Sequence, residues 1–406
     1  MSEFTGTLHA SLGRQPRLVA CAAVIGSLAG LSSGAFLWAL ERVTSVRVDH
    51  PILVWFLPAA GVAVALAYHR FGGRAAGGVR LTMTEIDDLR DGVPLRMAPL
   101  VLAGTIVTHL FGGSAGREGT ALQMSTALTD GLARRVGLKL FERRLLLVVA
   151  LAAGFGSVFG VPYAGVVFAM EVAPCRRVDR ATALPGAVVA SFLGDRVVGW
   201  IGVHHHHYPH LAHGGFGDLG RVAIAGAAFG LCARLFLKIT ELVRKWLERW
   251  VKVVPLRPLI GGAVVVAATI ALGTHDYNGL SLPLVDRAFG LGVLWYAFGL
   301  KLLLTSATVG SGYQGGEVTP LFVVGATLGA SLATLLGAPP ALMAGVGMVA
   351  VFGSAANASI ACVVMGVELF GWSPILPLIV GCFTARLWSS PRHLYETVPR
   401  SLVDLP

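Results

Sequence analysis

The segment GSAGREGTALQM (residues 113–124) and its counterpart GSGYQGGEVTPLF (residues 310–322) are the most informative parts of the sequence, because each places a glutamate next to glycines inside apolar sequence. The two glutamates are Glu118 and Glu317. A charged side chain at membrane depth costs about 2.5 to 3.5 kcal/mol. Two of them at matched places in a hydrophobic chain therefore indicate function.

The similarity between these two regions continues along the chain. Gly116-Arg117-Glu118 aligns with Gly315-Gly316-Glu317 at an offset of 199 residues, and GSVFGVPYAGVVFAME (156–171) aligns with GSAANASIACVVMGVE (353–368) at an offset of 197. Such weak internal symmetry is typical of secondary transporters. We predict two related halves, residues 1–210 and 211–406, in one transmembrane domain with no soluble regulatory domain. Chance identity between Gly-, Ala- and Val-rich segments is the alternative.

Composition indicates an all-α, polytopic membrane protein. The 406 residues have a mean hydropathy of +0.71, 55% are hydrophobic and 13% are charged, and 52 are glycine. A soluble fold needs far more charge. Several apolar stretches fall short of the ~20 residues that span a bilayer, so we expect broken or half-membrane helices. The first apolar run reaches full length, which predicts a membrane segment rather than a cleaved signal peptide.

The net charge of +10 does not indicate a nucleic-acid partner. The basic residues lie in short connections such as GLARRVGLKLFERR, where anionic lipid explains them better. The five cysteines are isolated and odd in number, so we interpret them as small core hydrophobes rather than disulfides or metal ligands. They are Cys21, Cys175, Cys232, Cys362 and Cys382. No cofactor is expected.

The glutamate loops suggest a mechanism of anion and proton coupling. Each glutamate follows glycines and precedes an apolar helical run, which places it at or near a helix N-terminus. Free backbone N–H groups and the helix dipole attract anions there. An ionised glutamate would compete with an anion for those donors, and protonation would release it. Such a side chain can link anion movement to proton movement.

GREGT, the GSGYQGGEVTPLF segment, the paired GS…E helices and the late tyrosine in HLYETVP together resemble the CLC family of anion channels and anion/proton antiporters. The resemblance covers about residues 20 to 400. It implies a fold of two inverted repeats of short, tilted and re-entrant helices, and a homodimer in which each subunit has its own pore. It also implies that Glu118 is the gating glutamate and that Tyr395 contacts the central anion.

Departures from the chloride-type pattern are equally informative. Where those members carry a GSGIP serine for the central anion, this chain reads AAGGVRLTMTEI, and the alignment places Val79 at that point. An inner proton-transfer glutamate is replaced by Val172. Glu317 and Thr319 stand where many chloride members have apolar or aromatic residues. These features resemble the fluoride-exporting branch, although that branch usually has Met or Asn near Val79.

The resulting hypothesis is a fluoride/proton antiporter in a lipid bilayer, in the cytoplasmic membrane of a bacterium. Fluoride is small and strongly hydrated, so its site needs short hydrogen bonds from O–H or N–H donors. Glu118 and Glu317 are predicted to gate and to handle protons. The predicted anion-binding residues are Gly116, Arg117, Gly119, Val318, Thr319, Tyr395 and Val79.

Each of these residues also has an ordinary structural interpretation. Glu118, Glu317 and Thr319 could simply occupy a helix first turn, and Tyr395 could be an interfacial anchor. Arg117 is expected to pair with a neighbouring carboxylate or with carbonyls rather than with the ion. Glu171 and Glu368, which end apolar runs at mirrored places, are predicted to be structural.

Two rival functions remain. The first, within the same family, is a chloride or broad-halide channel or exchanger, which Val79 favours. The second is an intramembrane metal-dependent enzyme built on His204 to His207, His210 and His213, although no catalytic zinc pattern accompanies them. Residues 112–116 match the G-x-S-x-G pattern of hydrolases but lack the strand that should precede it, so we predict that the protein is not an enzyme.

Overall fold

The structure is a computed structural model that describes residues 15–174, 180–212, 214–290 and 292–397. Within these ranges it contains sixteen α-helices and no strand. Cys175 and His213 lie outside the described residues. The other four cysteines are free, three of them buried and Cys21 half-buried.

The helices form two series of eight. The first series is α1 (Gln15–Asp49), α2 (Leu57–Phe71), α3 (Gly78–Asp87), α4 (Met97–Leu110), α5 (Glu118–Arg135), α6 (Leu140–Phe159), α7 (Pro162–Val172) and α8 (Arg180–Trp200). The second series is α9 (Phe216–Trp250), α10 (Arg257–Leu272), α11 (Leu282–Phe289), α12 (Ala297–Gly310), α13 (Val318–Leu336), α14 (Pro340–Ala356), α15 (Ser359–Phe370) and α16 (Ile375–Trp388).

Most corresponding helices have similar lengths, and the two series meet at the loops that precede α5 and α13. Helices α1 and α9 both have 35 residues. Gly116 and Gly316 form an isolated antiparallel bridge, in which each backbone N–H donates to the other residue's carbonyl over 2.6 and 2.7 Å. The fold is therefore the predicted all-α arrangement, built from two series of helices that meet at equivalent loops. The division at residues 210 and 211 stays a prediction.

The bridge corrects the alignment around the two glutamates. Gly116 faces Gly316, and the following helices begin at Glu118 and Val318, so the structural offset is 200 rather than 199. Glu118 is the first residue of α5, whereas Glu317 is the N-cap of α13. The sequence alignment matched the two carboxylates because they look alike, although their backbone positions differ by one residue.

A second reciprocal contact links the halves at Glu171 and Glu368. The Glu368 carboxylate accepts the N–H groups of Tyr163 and Ala164 at the start of α7, at 3.0 and 2.6 Å. The Glu171 carboxylate accepts the equivalent groups of α15 from Ile360 and Ala361, at 3.2 and 2.8 Å. Each glutamate thus caps the helix of the other half. This confirms the structural role predicted for both.

Glycines allow the helices to pack at close range. A Cβ on Gly325 would lie 2.1 Å from the Gly347 carbonyl oxygen of α14, and one on Gly329 would lie 2.1 Å from that of Met343. Gly26 and Gly30 play the same part where α1 packs on α8. Spacings of four residues put such small side chains on one face, which is how membrane helices approach each other.

Helix lengths agree with a multi-pass membrane protein. Six helical segments in the described part of the chain are long and apolar enough to cross a bilayer, and six more apolar helices are shorter. Helices α6 and α14 are buried over nearly their whole lengths, and they form the centres of the two halves. The N-termini of α5 and α13 meet between these centres.

Candidate anion and proton site

Glu118 lies at the junction of the two halves. Its side chain is completely buried, and its carboxylate accepts hydrogen bonds from both repeats. The Oε2 atom accepts the N–H of Arg117 at 3.0 Å and the N–H of Thr319 at 3.1 Å, and Oε1 accepts the Thr319 hydroxyl. The carboxylate therefore takes the place between two helix N-termini where an anion would be favoured.

Thr319 contributes both its backbone and its side chain to this arrangement. It is the second residue of α13, so its N–H has no partner within the helix. The hydroxyl adds a second donor on the same side, and hydrogen bonds to a charged acceptor are stronger than those between neutral groups. The structure thus brings together two residues that lie 201 positions apart in the chain.

The glycines beside Glu118 leave room for close backbone contact. A Cβ on Gly116 would lie 2.7 Å from Glu118 Oε2, and a Cβ on Gly316 would lie 2.9 Å from the Glu118 nitrogen. Either side chain would displace the carboxylate. The N–H of Gly116 already donates to Gly316, so this residue supplies space rather than a free amide. A Cβ on Gly119 would lie 3.4 Å from the Gly316 Cα.

Arg117 supplies positive charge next to the glutamate. Its Nε lies 3.8 Å from Glu118 Oε1, and the guanidinium is mostly buried. That Nε has no hydrogen-bond partner among the described residues. The pairing agrees with the expectation that Arg117 interacts with a neighbouring carboxylate, and the charge favours an anion at this point.

The N-terminus of a third helix, α3, lies near the site, and Val79 is the residue that approaches it. It is the second residue of α3, and its Cγ2 would lie 3.8 Å from a Cβ on Gly119. Gly78 before it adopts a positive φ of 56°, which favours glycine and turns the chain into α3. The side chain that faces Gly119 is therefore apolar.

Glu317 and Tyr395 border the site on another side. Glu317 is partly buried and interacts electrostatically with Arg80 and Arg244, and it is not among the hydrogen-bond partners described for Glu118. Tyr395 is 5% exposed and packs its ring edge-on against Phe168 at 5.2 Å. It interacts electrostatically with both Glu118 and Glu317. Tyr395 therefore lies near both glutamates, which do not contact each other directly.

The histidine tract lines a cavity that does not include Glu118 among its lining residues. His204 to His207 and His210 line a cavity of about 510 Å³ together with Asp195 and Glu368. His206 Nε2 lies 2.8 Å from Asp286, and His205 Nε2 lies 3.6 Å from Asp195. No group of three or more metal-ligating side chains occurs among the residues that the structure describes. The geometry gives no support to the metal-enzyme hypothesis.

Sequence reasoning missed a buried lysine near the site. Lys301 lies within the apolar helix α12, is fully buried, and donates a hydrogen bond to Ser114 in the loop before Glu118. A lysine inside an apolar stretch is a signal of function by the same physical argument that selected the glutamates. The segment AFGLKLLLTSATVG carried that signal.

Comparison with known proteins agrees with this geometry. The family model described as voltage gated chloride channel matches residues 60–390. A chloride/fluoride channel protein of Pseudomonas syringae pv. tomato is 42% identical over 387 residues, covering 93% of this chain and 85% of the relative. An H(+)/Cl(-) exchange transporter of Citrobacter koseri is 25% identical over 429 residues, covering 93% and 87%.

A solved structure shares the fold. The crystal structure of a CLC-type fluoride/proton antiporter superposes with a TM-score of 0.89 at 32% sequence identity, covering 94% of this chain and 97% of that one. Together with the family match, which spans most of the sequence, this shows that the chain is a multi-pass integral membrane protein of the CLC family.

Proposed function

We propose that this protein exchanges fluoride for protons across the membrane. The observation that carries the proposal is the Glu118 carboxylate, which is held by the Arg117 and Thr319 amides and by the Thr319 hydroxyl. The Glu118 carboxylate and the transported anion are both negatively charged hydrogen-bond acceptors, so the donors that bind the carboxylate can also bind the anion. Family membership favours transport over the enzyme hypothesis.

Exchange follows from competition for these donors. Ionised Glu118 fills the place between α5 and α13, and an anion that enters must displace it. The displaced carboxylate loses its donors and gains a proton more readily, because a buried charge without partners is costly. Return of the carboxylate then releases both the anion and the proton. Glu118 is therefore the proposed gate and proton carrier.

Fluoride is the proposed substrate because the donors are strong. The amide N–H groups and the Thr319 hydroxyl offer short hydrogen bonds to a small, strongly hydrated ion. Tyr395 is proposed to contact the anion with its hydroxyl on the side of Glu317. Val318 and Gly119 are proposed to contribute backbone amides from the first turns of α13 and α5. A relative at 42% identity is named for chloride and fluoride, and a structural neighbour for fluoride and protons.

Glu317 is the proposed second proton-handling group. Val172, the last residue of α7, cannot carry a proton, and the Glu171 carboxylate beside it caps α15. Glu317 interacts with Tyr395 on one side and with Arg80 and Arg244 on the other. We propose that it passes protons between Glu118 and the region of Arg80 and Arg244.

A second candidate substrate is chloride, alone or with other halides. The observation in its favour is Val79, an apolar side chain beside Gly119 that suits a larger and less hydrated anion. Assembly as a homodimer and a location in a bacterial cytoplasmic membrane belong to the same proposal, and the bacterial relatives support the location.

Transport by the purified protein in liposomes tests the proposal. Efflux of fluoride and of chloride would be followed with ion-selective electrodes, and internal pH with a trapped dye. We expect a fluoride gradient to drive uphill proton movement and an equal chloride gradient to drive much less. Chloride-driven proton movement of equal size would favour the second candidate. Anion flux without proton movement would contradict exchange.

A further inference from the structure

We propose that Lys301 is a positioning residue that holds the loop before Glu118, residues 112–116, in the place where Glu118 can occupy the anion site. This inference rests on the proposed function. It assigns a role to a buried cation outside the set of residues that contact the carboxylate.

Lys301 is surrounded by oxygen atoms. Its Nζ donates to Ser114 Oγ at 2.9 Å, to the carbonyl oxygens of Tyr277 and Gly279 at 3.2 and 2.7 Å, and to Ser281 Oγ at 2.9 Å. Three N–H donors of an ammonium group thus meet four acceptors, two of which are carbonyl oxygens that can only accept. A side chain with 0% exposure and four such contacts has one defined position.

The lysine reaches the loop directly through Ser114. The Ser114 hydroxyl also pairs with Thr305 Oγ1 at 2.9 Å, and the Ser114 N–H donates to Thr308 Oγ1 at 3.2 Å. These partners all lie on α12, the helix that carries Lys301. One residue of the loop is therefore anchored through its backbone and its side chain to the other half of the protein.

The lysine also reaches the loop indirectly through the segment of residues 277–281. Two of its acceptors, Tyr277 and Gly279, flank Asn278, whose Nδ2 donates to the Gly112 carbonyl at 2.8 Å. The N–H of Gly279 donates to the Gly113 carbonyl at 3.1 Å. Lys301 thus orders a segment that in turn holds the first two residues of the loop.

The rest of the loop is held as well. His109 Nε2 lies 3.1 Å from the Ala115 carbonyl oxygen, and Gly116 pairs with Gly316. Every residue from 112 to 116 therefore has at least one backbone group that is hydrogen-bonded to a residue outside the loop. Lys301 is the one partner that connects to three of them, directly or through residues 277–281, so its loss should loosen the loop more than the loss of any other single contact.

A comparison of two serines tests the proposal. Ser114 and Ser281 both accept a hydrogen bond from Lys301, but only Ser114 belongs to the loop before Glu118. The variants Ser114→Ala, Ser281→Ala and Lys301→Met would be reconstituted as full-length protein in liposomes. The number of protons moved per fluoride would be measured together with the thermal stability of each variant.

We expect Ser114→Ala and Lys301→Met to lower the protons moved per fluoride by about two- to tenfold, the range set by one hydrogen bond. Ser281→Ala should keep the wild-type ratio, since it leaves in place the contacts of Lys301 with Ser114 and with the carbonyl oxygens of Tyr277 and Gly279. Thr305→Val should keep it too, because Lys301 can still donate to Ser114. A merely structural role would change stability in both serine variants alike without changing the ratio.

A wild-type ratio in Ser114→Ala, or an equal loss in Ser281→Ala, would overturn the inference. If Lys301→Met does not fold, the comparison of Ser114→Ala with Ser281→Ala still tests the inference. Absence of coupled transport in the wild-type protein would overturn the proposed function and this inference together, whereas normal wild-type coupling with an unaffected Ser114→Ala overturns the inference alone.

Discussion

The loops before α5 and α13, residues 112–117 and 312–317, occupy equivalent places but are held by different chemistry. The first is bound by Lys301, Asn278 and His109, and it ends in Arg117, so that Glu118 is the first residue of the helix. The second is held through Tyr313, whose hydroxyl donates to the Leu57 and Pro258 carbonyls at 2.8 and 3.0 Å. A symmetric backbone thus carries an asymmetric set of charges.

A shift of one residue explains why the two glutamates differ. Successive residues in an α-helix are turned by about 100° around its axis. Glu118 is the first residue of its helix and folds back onto both N-termini, whereas Glu317 is the N-cap and lies toward Arg80 and Arg244. The repeat therefore produced two helix ends that attract anions, with carboxylates directed to different places. The following experiments test this asymmetry.

The largest effect is expected for Glu118→Gln. A side chain that cannot ionise can neither carry the proton nor compete with the anion, so proton movement driven by a fluoride gradient should fall to the background of empty liposomes. Fluoride flux itself should persist. Wild-type proton movement in this variant would contradict the assignment of Glu118 as the gate.

Glu317→Gln should also abolish coupled exchange while leaving the oligomeric state and the fold unchanged. The physical reason is that Val172 offers no alternative proton carrier near the end of α7. Coupling would be measured in liposomes, and size-exclusion chromatography would check the assembly. Normal proton exchange in this variant would show that Glu118 alone handles protons. Glu317 would then have no role in coupling.

Thr319→Val separates the side-chain donor from the backbone donor. The change keeps the shape but removes a hydroxyl that donates to a charged group, a loss of about 1.5 to 3 kcal/mol, which is about 10- to 150-fold in fluoride flux. Thr327→Val in the same helix is a matched control, because that hydroxyl donates to carbonyls of its own helix. Unchanged fluoride-to-chloride preference in Thr319→Val would argue against a fluoride-specific site.

The reciprocal caps offer a test of the symmetry itself. Glu171→Gln and Glu368→Gln should each lower the free energy of unfolding by about 1 to 3 kcal/mol, since each removes a charged acceptor from two backbone N–H groups. Thermal unfolding of the two variants should give similar shifts, with coupling intact. A large loss of coupling in only one variant would show that its glutamate takes part in transport.

The smallest effect is expected in the histidine tract. Replacement of His204 to His207 by alanine, or addition of a chelator, should leave fluoride flux unchanged, because the hydrogen-bond donors of the Glu118 carboxylate are Arg117 and Thr319 and not these histidines. The same flux assay measures both. Loss of flux on chelation with recovery on zinc would restore the metal hypothesis.

Much of the fold could be predicted from the sequence. Apolar composition and helix lengths below the span of a bilayer required a polytopic bundle with broken helices, and the similarity of 156–171 to 353–368 located a true structural repeat. The alignment of Glu118 with Glu317 was wrong by one residue. The similarity of glycine and glutamate residues in the two segments does not show which backbone N–H groups face each other. The Gly116–Gly316 bridge in the structure shows which residues of the two loops are equivalent.

The sequence was sufficient to predict a membrane protein with carboxylates at two helix starts. The reason is that hydropathy and the free-energy cost of burying a charge in the membrane can be evaluated residue by residue. The tertiary structure was needed to identify the hydrogen-bond donors to the Glu118 carboxylate. Thr319, Lys301 and Ser114 come from distant parts of the chain, and nothing local specifies that α13 presents an amide and a hydroxyl to α5. Hydrogen bonds depend on distance and direction in space, and those are set when the two repeats pack against each other.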